Sequence, residues 1–426
     1  MSAAQSISVT ALSGLSLALA VGVGVTLLCR SFGQPAVVGE MAAGICLGPS
    51  LLGLFPGNLP AHLFPPEVRP YLSVVAQVGL LLFMFGIGWE FDTRFVRSRL
   101  ASAGTIWATS LAVPLVLGFL LARTLEHPAL STGGRPVSDT GFALYFGLAM
   151  SITALPVLAR IVEDQGLRGT RLGNLSLGLA AADDLLAWCM LAVVVALTNT
   201  GGIGGFLGVM GWSALYLAVL FGLVRPLLAA AATRMRSRHL PYAAPLIAAG
   251  VFLSAYTTAH IGIDAIFGAF MFGTAMPRPE QSLLQRAVHA PFESVSRLLM
   301  PVFFVVTGLS VDLTTLSLGG FAQAGLIMLV ACVGKLGAVT LSARATGTGW
   351  RDATVIGALM NTRGVTELVL LSIGLNLGLL TVPLYSSMVL MALVTTALAA
   401  PVIKAVTRKS TPPAEAEPEL LEAAAS

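Results

Sequence analysis

Apolar runs of about 20 residues, parted by short polar connections, fill the chain from end to end. Apolar and polar positions do not alternate within them. Runs of this length match helices that cross the ~30 Å hydrocarbon core of a bilayer; strands of a membrane barrel would alternate instead. Thirteen runs predict thirteen transmembrane helices, near 8–29, 36–54, 70–91, 100–122, 140–162, 172–197, 204–230, 240–260, 262–277, 298–314, 318–343, 350–379 and 382–406. The ninth is short enough to merge with a neighbour. The expected fold class is an all-α membrane protein.

Composition agrees. Of 426 residues, 56% are hydrophobic and 10% charged, where a soluble domain carries about 25% charged residues. Cys29, Cys46, Cys189 and Cys332 are scattered through apolar runs, so neither a disulfide framework nor a metal cluster is expected. The first run has no basic leader and continues to Leu28, so it reads as a first span and not as a cleaved signal peptide. The net charge of +4 comes from short basic loops, and no nucleic-acid partner is expected.

Most Lys and Arg residues fall on the odd-to-even connections and the C-terminal end, as in Arg94, Arg97 and Arg99 or Arg234, Arg236 and Arg238. The other connections hold only Arg69, Arg123 and Arg135. This asymmetry predicts an outside N-terminus and a cytoplasmic C-terminus, in a multi-pass protein of a cell's inner (plasma) membrane. Residues 1–409 read as one transmembrane domain. Residues 410–426, acidic and Pro-rich, read as a short disordered cytoplasmic tail.

An ionisable residue inside a span costs several kcal/mol and points to function. Asp183 and Asp184 lie mid-way along the sixth span and need a proton, a metal ion or a cationic side chain as compensation. Lys335, mid-span in the eleventh, is the obvious counter-charge for one of them. Arg363 and Glu367, four apart in the twelfth, can pair with each other. Glu40 reads as a shallow interfacial anchor, and Asp264 as a helix cap.

Two helices are interrupted. The fifth span carries Ser151-Ile-Thr-Ala-Leu-Pro156, where Pro156 is expected to break the helix and Ser151 and Thr153 add hydroxyls. The twelfth carries Asn361-Thr362-Arg363-Gly364. Non-helical backbone at this depth survives only where it lines a cavity or is buried in protein. If spans 1–6 and 8–13 are two repeats joined by span 7, both breaks are fifth in their repeat and the second repeat is inverted. Broken helices in matching positions point to a transporter site.

With these residues the chain resembles the second family of monovalent cation:proton antiporters, in particular bacterial sodium/proton antiporters with an adjacent Asp-Asp pair and the membrane domain of plant cation/proton exchangers. The resemblance runs through Gly39–Gly53, Gly79–Asp92, Ser151–Arg160, Ala182-Asp-Asp184, Ile266–Gly273, Pro301–Gly308, Gly334-Lys335 and Asn361–Gly364. It implies two inverted six-helix repeats with crossing discontinuous helices, a dimerisation bundle and a homodimer. It also implies that Asp184 binds Na+ or K+, or protons; that Asp183 pairs with Lys335; and that Thr153, with Ser151, supplies oxygens at the break. Pro156, Asn361, Thr362, Arg363 and Glu367 would support the broken helices. The family often has His where Asp264 stands, and the regulation exerted by the soluble domains of many relatives is not carried over.

The expected chemistry is electrogenic exchange of a monovalent cation for protons by alternating access in the lipid bilayer. Removal from water disfavours an ionised carboxylate, so a proton and a cation compete for the same oxygens. A carrier of an organic substrate on the same fold is the alternative. A channel filter such as Thr-Val-Gly-Tyr-Gly, a P-loop and a nucleophile elbow are not found, so enzymatic activity and a cofactor are not expected.

Overall fold

The computed structural model describes residues 3–91, 100–125, 131–132, 135–136, 139–198, 202–234, 240–277, 283–314, 318–376 and 378–407. The expected tail at 410–426 lies outside them, as do Arg94, Arg97, Arg99, Arg236 and Arg238.

Among the described residues, the regular structure is helical apart from a two-stranded ribbon, Ser131–Thr132 with Arg135–Pro136. In order the helices are α1 (Ala3–Ser31), α2 (Ala36–Leu47), α3 (Leu59–Leu63), α4 (Arg69–Glu90), α5 (Leu100–Ala122), α6 (Asp139–Ser151), α7 (Leu155–Asp164), α8 (Arg171–Thr198) and α9 (Gly202–Val219). They continue as α10 (Arg225–Arg234), α11 (Leu240–Ile261), α12 (Ala265–Ala275), α13 (Leu283–Gly308), α14 (Leu318–Cys332), α15 (Ala338–Ala345), α16 (Trp350–Met360), α17 (Val365–Asn376) and α18 (Val382–Thr407). Wider π-helical turns join α9 to α10 (Leu220–Val224) and α14 to α15 (Val333–Gly337).

Among the described residues, 10 stretches are long and apolar enough to cross a membrane. The other expected spans fall on α8, on the short α12, and on the broken pair α16–α17. The tenth prediction needs correction. Its helix begins at Leu283 and not near 298, because Arg286, His289, Glu293 and Arg297 depress the hydropathy of its first half although the helix runs through them.

The helices form two bundles. In the first, α4 packs on α12 and α13, α2 on α1 and α13, and α11 on α12 and α13. In the second, α5 and α6 pair, α14, α16 and α17 pack on α18, and α8 lies against α7 and α16. The long α9 touches α8 and α11 and so joins the two. The bundles meet chiefly where α7 touches α2 and α4, α8 touches α12, and α18 touches α2.

Inverted symmetry is visible in the first bundle. A Cβ at Gly44 of α2 would strike the Val305 carbonyl of α13, and one at Gly308 of α13 would strike the Met41 carbonyl of α2. The second and tenth spans thus press glycine to backbone. The ninth and third repeat the contact: Gly273 of α12 sits on the Phe85 carbonyl, and Gly88 of α4 on the Phe270 carbonyl. Exchanging the repeats maps one pair onto the other. Small residues let membrane helices approach closely enough for dispersion to hold them, since lipid removes the hydrophobic driving force.

Candidate functional site

The site lies where the two interrupted helices cross. α6 ends at Ser151, residues 152–154 are non-helical, and α7 begins at Leu155. Pro156 therefore does not break the helix. It sits in the first turn of α7, where a missing N–H costs nothing and its φ favours helix. α16 ends at Met360, residues 361–364 are non-helical, and α17 begins at Val365. The extended segments touch through Ala154 N–H donating to the Thr362 carbonyl at 3.2 Å.

Each break exposes carbonyls that hydrocarbon cannot satisfy. At the first, Arg363 donates to the carbonyls of Ala149 (3.2 Å) and Met150, and Lys335 donates to that of Ser151. At the second, the Thr153 hydroxyl donates to the Met360 carbonyl at 2.9 Å, and the Thr362 hydroxyl to Leu359 at 2.7 Å. Thr396 on α18 clamps Arg363: its hydroxyl donates to the Arg363 carbonyl at 2.6 Å and lies 2.9 Å from the Arg363 amide. Asn361 reaches Cys332 Sγ at 3.7 Å.

The acids face this crossing from α8. Asp183 is fully buried, and its Oδ2 receives Lys335 Nζ at 3.0 Å and the Thr153 hydroxyl at 2.7 Å. The π-helical turn carries Lys335, and such turns recur at functional sites. Arg363 and Glu367 pair at 3.1 Å, both wholly buried. Asp184 is also buried; its Oδ1, like Oδ1 of Asp183, has no hydrogen-bond partner, and among the described residues no cationic side chain pairs with it. It faces the first residues of α7 and α17, near the Leu155 amide and the Thr366 hydroxyl, with Asp264 and Asp183 as its neighbouring acids. Helix N-termini carry partial positive charge, so Asp184 stands where two half-helix dipoles favour an anion.

All ten residues singled out for the site are thus in or beside one crossing, with two changes of detail. Ser151 contributes its carbonyl, because its hydroxyl is turned back onto Leu148 at 2.8 Å. Asp264 caps α12 through Ile266 N–H at 2.9 Å, as expected, but also belongs to the surroundings of Asp184. Glu40 departs from expectation. It is no exposed anchor: it is 2% exposed and lies 3.6 Å from Arg160. Thr366 and Thr396 were not anticipated. Threonines are too common in transmembrane helices for composition to single them out.

A carboxylate with a free lone pair, flanked by hydroxyls and open backbone, can take a small hard cation or a proton at the same oxygens. Similarity to known proteins accords with this. The Na(+)/H(+) antiporter NhaS4 of Synechocystis is 37% identical over 384 residues, covering 88% of this chain and 92% of its own. The K(+)/H(+) antiporter 1 of Saccharomyces cerevisiae is 34% identical over 88% of this chain, and Cation/H(+) antiporter 20 of Arabidopsis thaliana 33% over 92%. This chain spans less than half the length of those two, 43% and 48%. The sodium proton antiporter MjNhaP1 of Methanocaldococcus jannaschii superposes with a TM-score of 0.64 over 94% of this chain and 97% of its own, at 16% identity, a likeness of fold. Residues 15–409 match the family described as sodium/hydrogen exchanger, transmembrane, and the chain belongs to that family.

Proposed function

We infer that this protein is a secondary antiporter exchanging a monovalent cation, Na+ or K+, for protons across a membrane. The observation that carries the reading is Asp184: a buried carboxylate with an unpartnered oxygen, beside an acid that already has its lysine. Asp184 is the group that cation and proton occupy in turn. Asp183 and Lys335 form a second titrating pair, closed when the site is empty and loosened by cation entry. With two acids and one lysine taking part, more than one proton moves per cation and exchange is electrogenic. Thr153 and the opened backbone at 152–154 supply further oxygens. Residues 1–409 form the transporting domain, and 410–426 a tail. The N-terminus lies outside and the C-terminus in the cytoplasm, in an inner (plasma) membrane. The first bundle pairs with a second copy, and the second bundle moves against it.

Proteoliposomes loaded with a pH-sensitive dye test this. Sodium, potassium and lithium are added in turn, with Asp184→Asn as control. Cation-dependent proton movement that vanishes in the variant supports the reading and ranks the ions. No movement with any of them, in well-folded protein, overturns it and favours an organic-substrate carrier. Asp183→Asn is expected to exchange without net charge movement, measured as current on a supported membrane.

A further inference from the structure

The seam between the bundles differs at its two ends. At one end α4 and α13 of the first bundle and α17 and α18 of the second enclose a cavity of about 300 Å³, walled in part by Ser73, Thr307, Ser310, Ser372 and Tyr385. At the other end, beside the α7–α8 turn, the space is only about 20 Å³, walled in part by Phe85, Ser296 and a group of charged side chains. By chain direction these ends lie on opposite faces: Ser73 opens α4 while Glu90 closes it, and Thr307 ends α13 while His289 is near its start.

Among the described residues, three polar links cross the narrow end from α7 and the turn after it, and a fourth runs from Lys404 Nζ on α18 to the Gly33 carbonyl before α2, at 2.6 Å. Asp164 accepts the Ala36 amide that opens α2, at 2.9 Å. Arg160 stands 3.6 Å from Glu40 on α2. Arg168 pairs with Glu90 at the end of α4. Glu163 ties the two arginines together, at 3.4 and 3.3 Å. His289 on α13 backs Glu90 at 2.8 Å. Every charged second-bundle member but Lys404 thus comes from α7 or the turn after it.

The central link is loose. Glu40 Oε2 and Arg160 Nε are buried without hydrogen-bond partners, and 3.6 Å is longer than a charge-assisted hydrogen bond. Such a pair holds two surfaces together and yet can part without breaking an optimised bond. Its position has a further consequence. α7 is a single ten-residue helix, about 15 Å long. Its second half carries Arg160 and, at the end, Asp164; its first turn opens at Leu155 beside Asp184. Rigid elements of this kind carry a displacement from end to end.

We propose that Arg160, Arg168, Glu40 and Glu90 are the gate of the α7–α8 face, shut here while the opposite face is open, and that α7 couples that gate to Asp184. Parting these pairs frees α7 from α2 and α4 and opens the narrow end as the wide end closes. The proposal rests on the antiporter reading, but its test does not require transport.

In a chain with its four cysteines replaced by alanine, Ser372→Cys reports the wide end and Ser296→Cys the narrow end. A small, charged thiosulfonate reagent is applied to purified protein in nanodiscs. Ser372→Cys is expected to react about tenfold faster than Ser296→Cys, and Glu40→Gln or Glu90→Gln to narrow or invert that ratio. The exchanged pair Glu40→Arg with Arg160→Glu should restore the parent ratio, and serves as the test if the single variants do not fold. An unchanged ratio in folded single variants, a rise of both rates together, or failure of the exchanged pair to restore it overturns the gate. An altered ratio without cation-driven proton movement would keep the gate and remove the exchange reading; the converse would do the reverse.

Discussion

The two interrupted helices are alike in shape and unlike in electrostatics. α6 and α16 both end near the crossing with carbonyls exposed, the negative ends of their dipoles. The end of α6 is met by cations: Arg363 takes two carbonyls and Lys335 a third. The end of α16 is met by neutral hydroxyls, from Thr153 and Thr362. Both cations belong to the second repeat and reach across to the first. Backbone symmetry is kept while charge symmetry is broken, and the cations are already committed. Lys335 answers Asp183 and Arg363 answers Glu367. Among the acids on α8 and α17, Asp184 is the one with no ion-pair partner among the described residues.

The strongest way to break this comparison is at Arg363. Arg363→Met leaves two α6 carbonyls and Glu367 unpaired in the interior, and removing one partner of a buried pair costs about 3–5 kcal/mol. A thermal scan in detergent should show a large fall in the midpoint, and Arg363→Lys should recover only part of it, because lysine lacks the planar fork. A parent-like midpoint for Arg363→Met would mean that cations do not hold the first break.

Lys335→Met is the next largest, since the Thr153 hydroxyl still donates to Asp183. Combined with Asp183→Asn, the double variant should lose less than the two singles summed, by about 1–3 kcal/mol of coupling. Additive losses would refute the pairing. At the second break, Thr396→Val removes the hydroxyl that clamps Arg363, with an expected cost of about 0.6–1.7 kcal/mol, the range of hydrogen bonds inside membrane bundles. Ser151→Ala should be the mildest, within about 0.5 kcal/mol, because among the described residues its hydroxyl serves only Leu148. A larger effect, or an altered apparent cation affinity in the dye assay, would give that hydroxyl a place at the ion.

How much of this could be read from the chain depended on rarity. Asp183, Asp184, Lys335, Arg363 and Glu367 stand out because charge is scarce in apolar runs, and depth alone marked them. Glu40 was misjudged for the complementary reason. It is close to a span end, where charge is cheap and the linear pattern cannot tell a headgroup-facing residue from one folded inward against another helix. The carbonyl acceptors at 149–151 and the π-helical turn around Lys335 are backbone features with no side-chain signature. Pro156 was placed correctly and read wrongly: the break precedes it, since proline opens a helix as readily as it ends one.

The Thr153 hydroxyl carries one hydrogen and lies within reach of two acceptors, Asp183 Oδ2 at 2.7 Å and the Met360 carbonyl at 2.9 Å. When Asp183 is ionised, that hydrogen is contested. When Asp183 takes up a proton, the carboxyl can donate to the threonine oxygen and the threonine can turn its own hydrogen to Met360, so that Asp183 Oδ2, the threonine oxygen and the Met360 carbonyl each keep a partner. The two charge states of Asp183 then differ, at this contact, by the rotation of one O–H bond, and the crossing can gain or lose a proton without any heavy atom giving up its place.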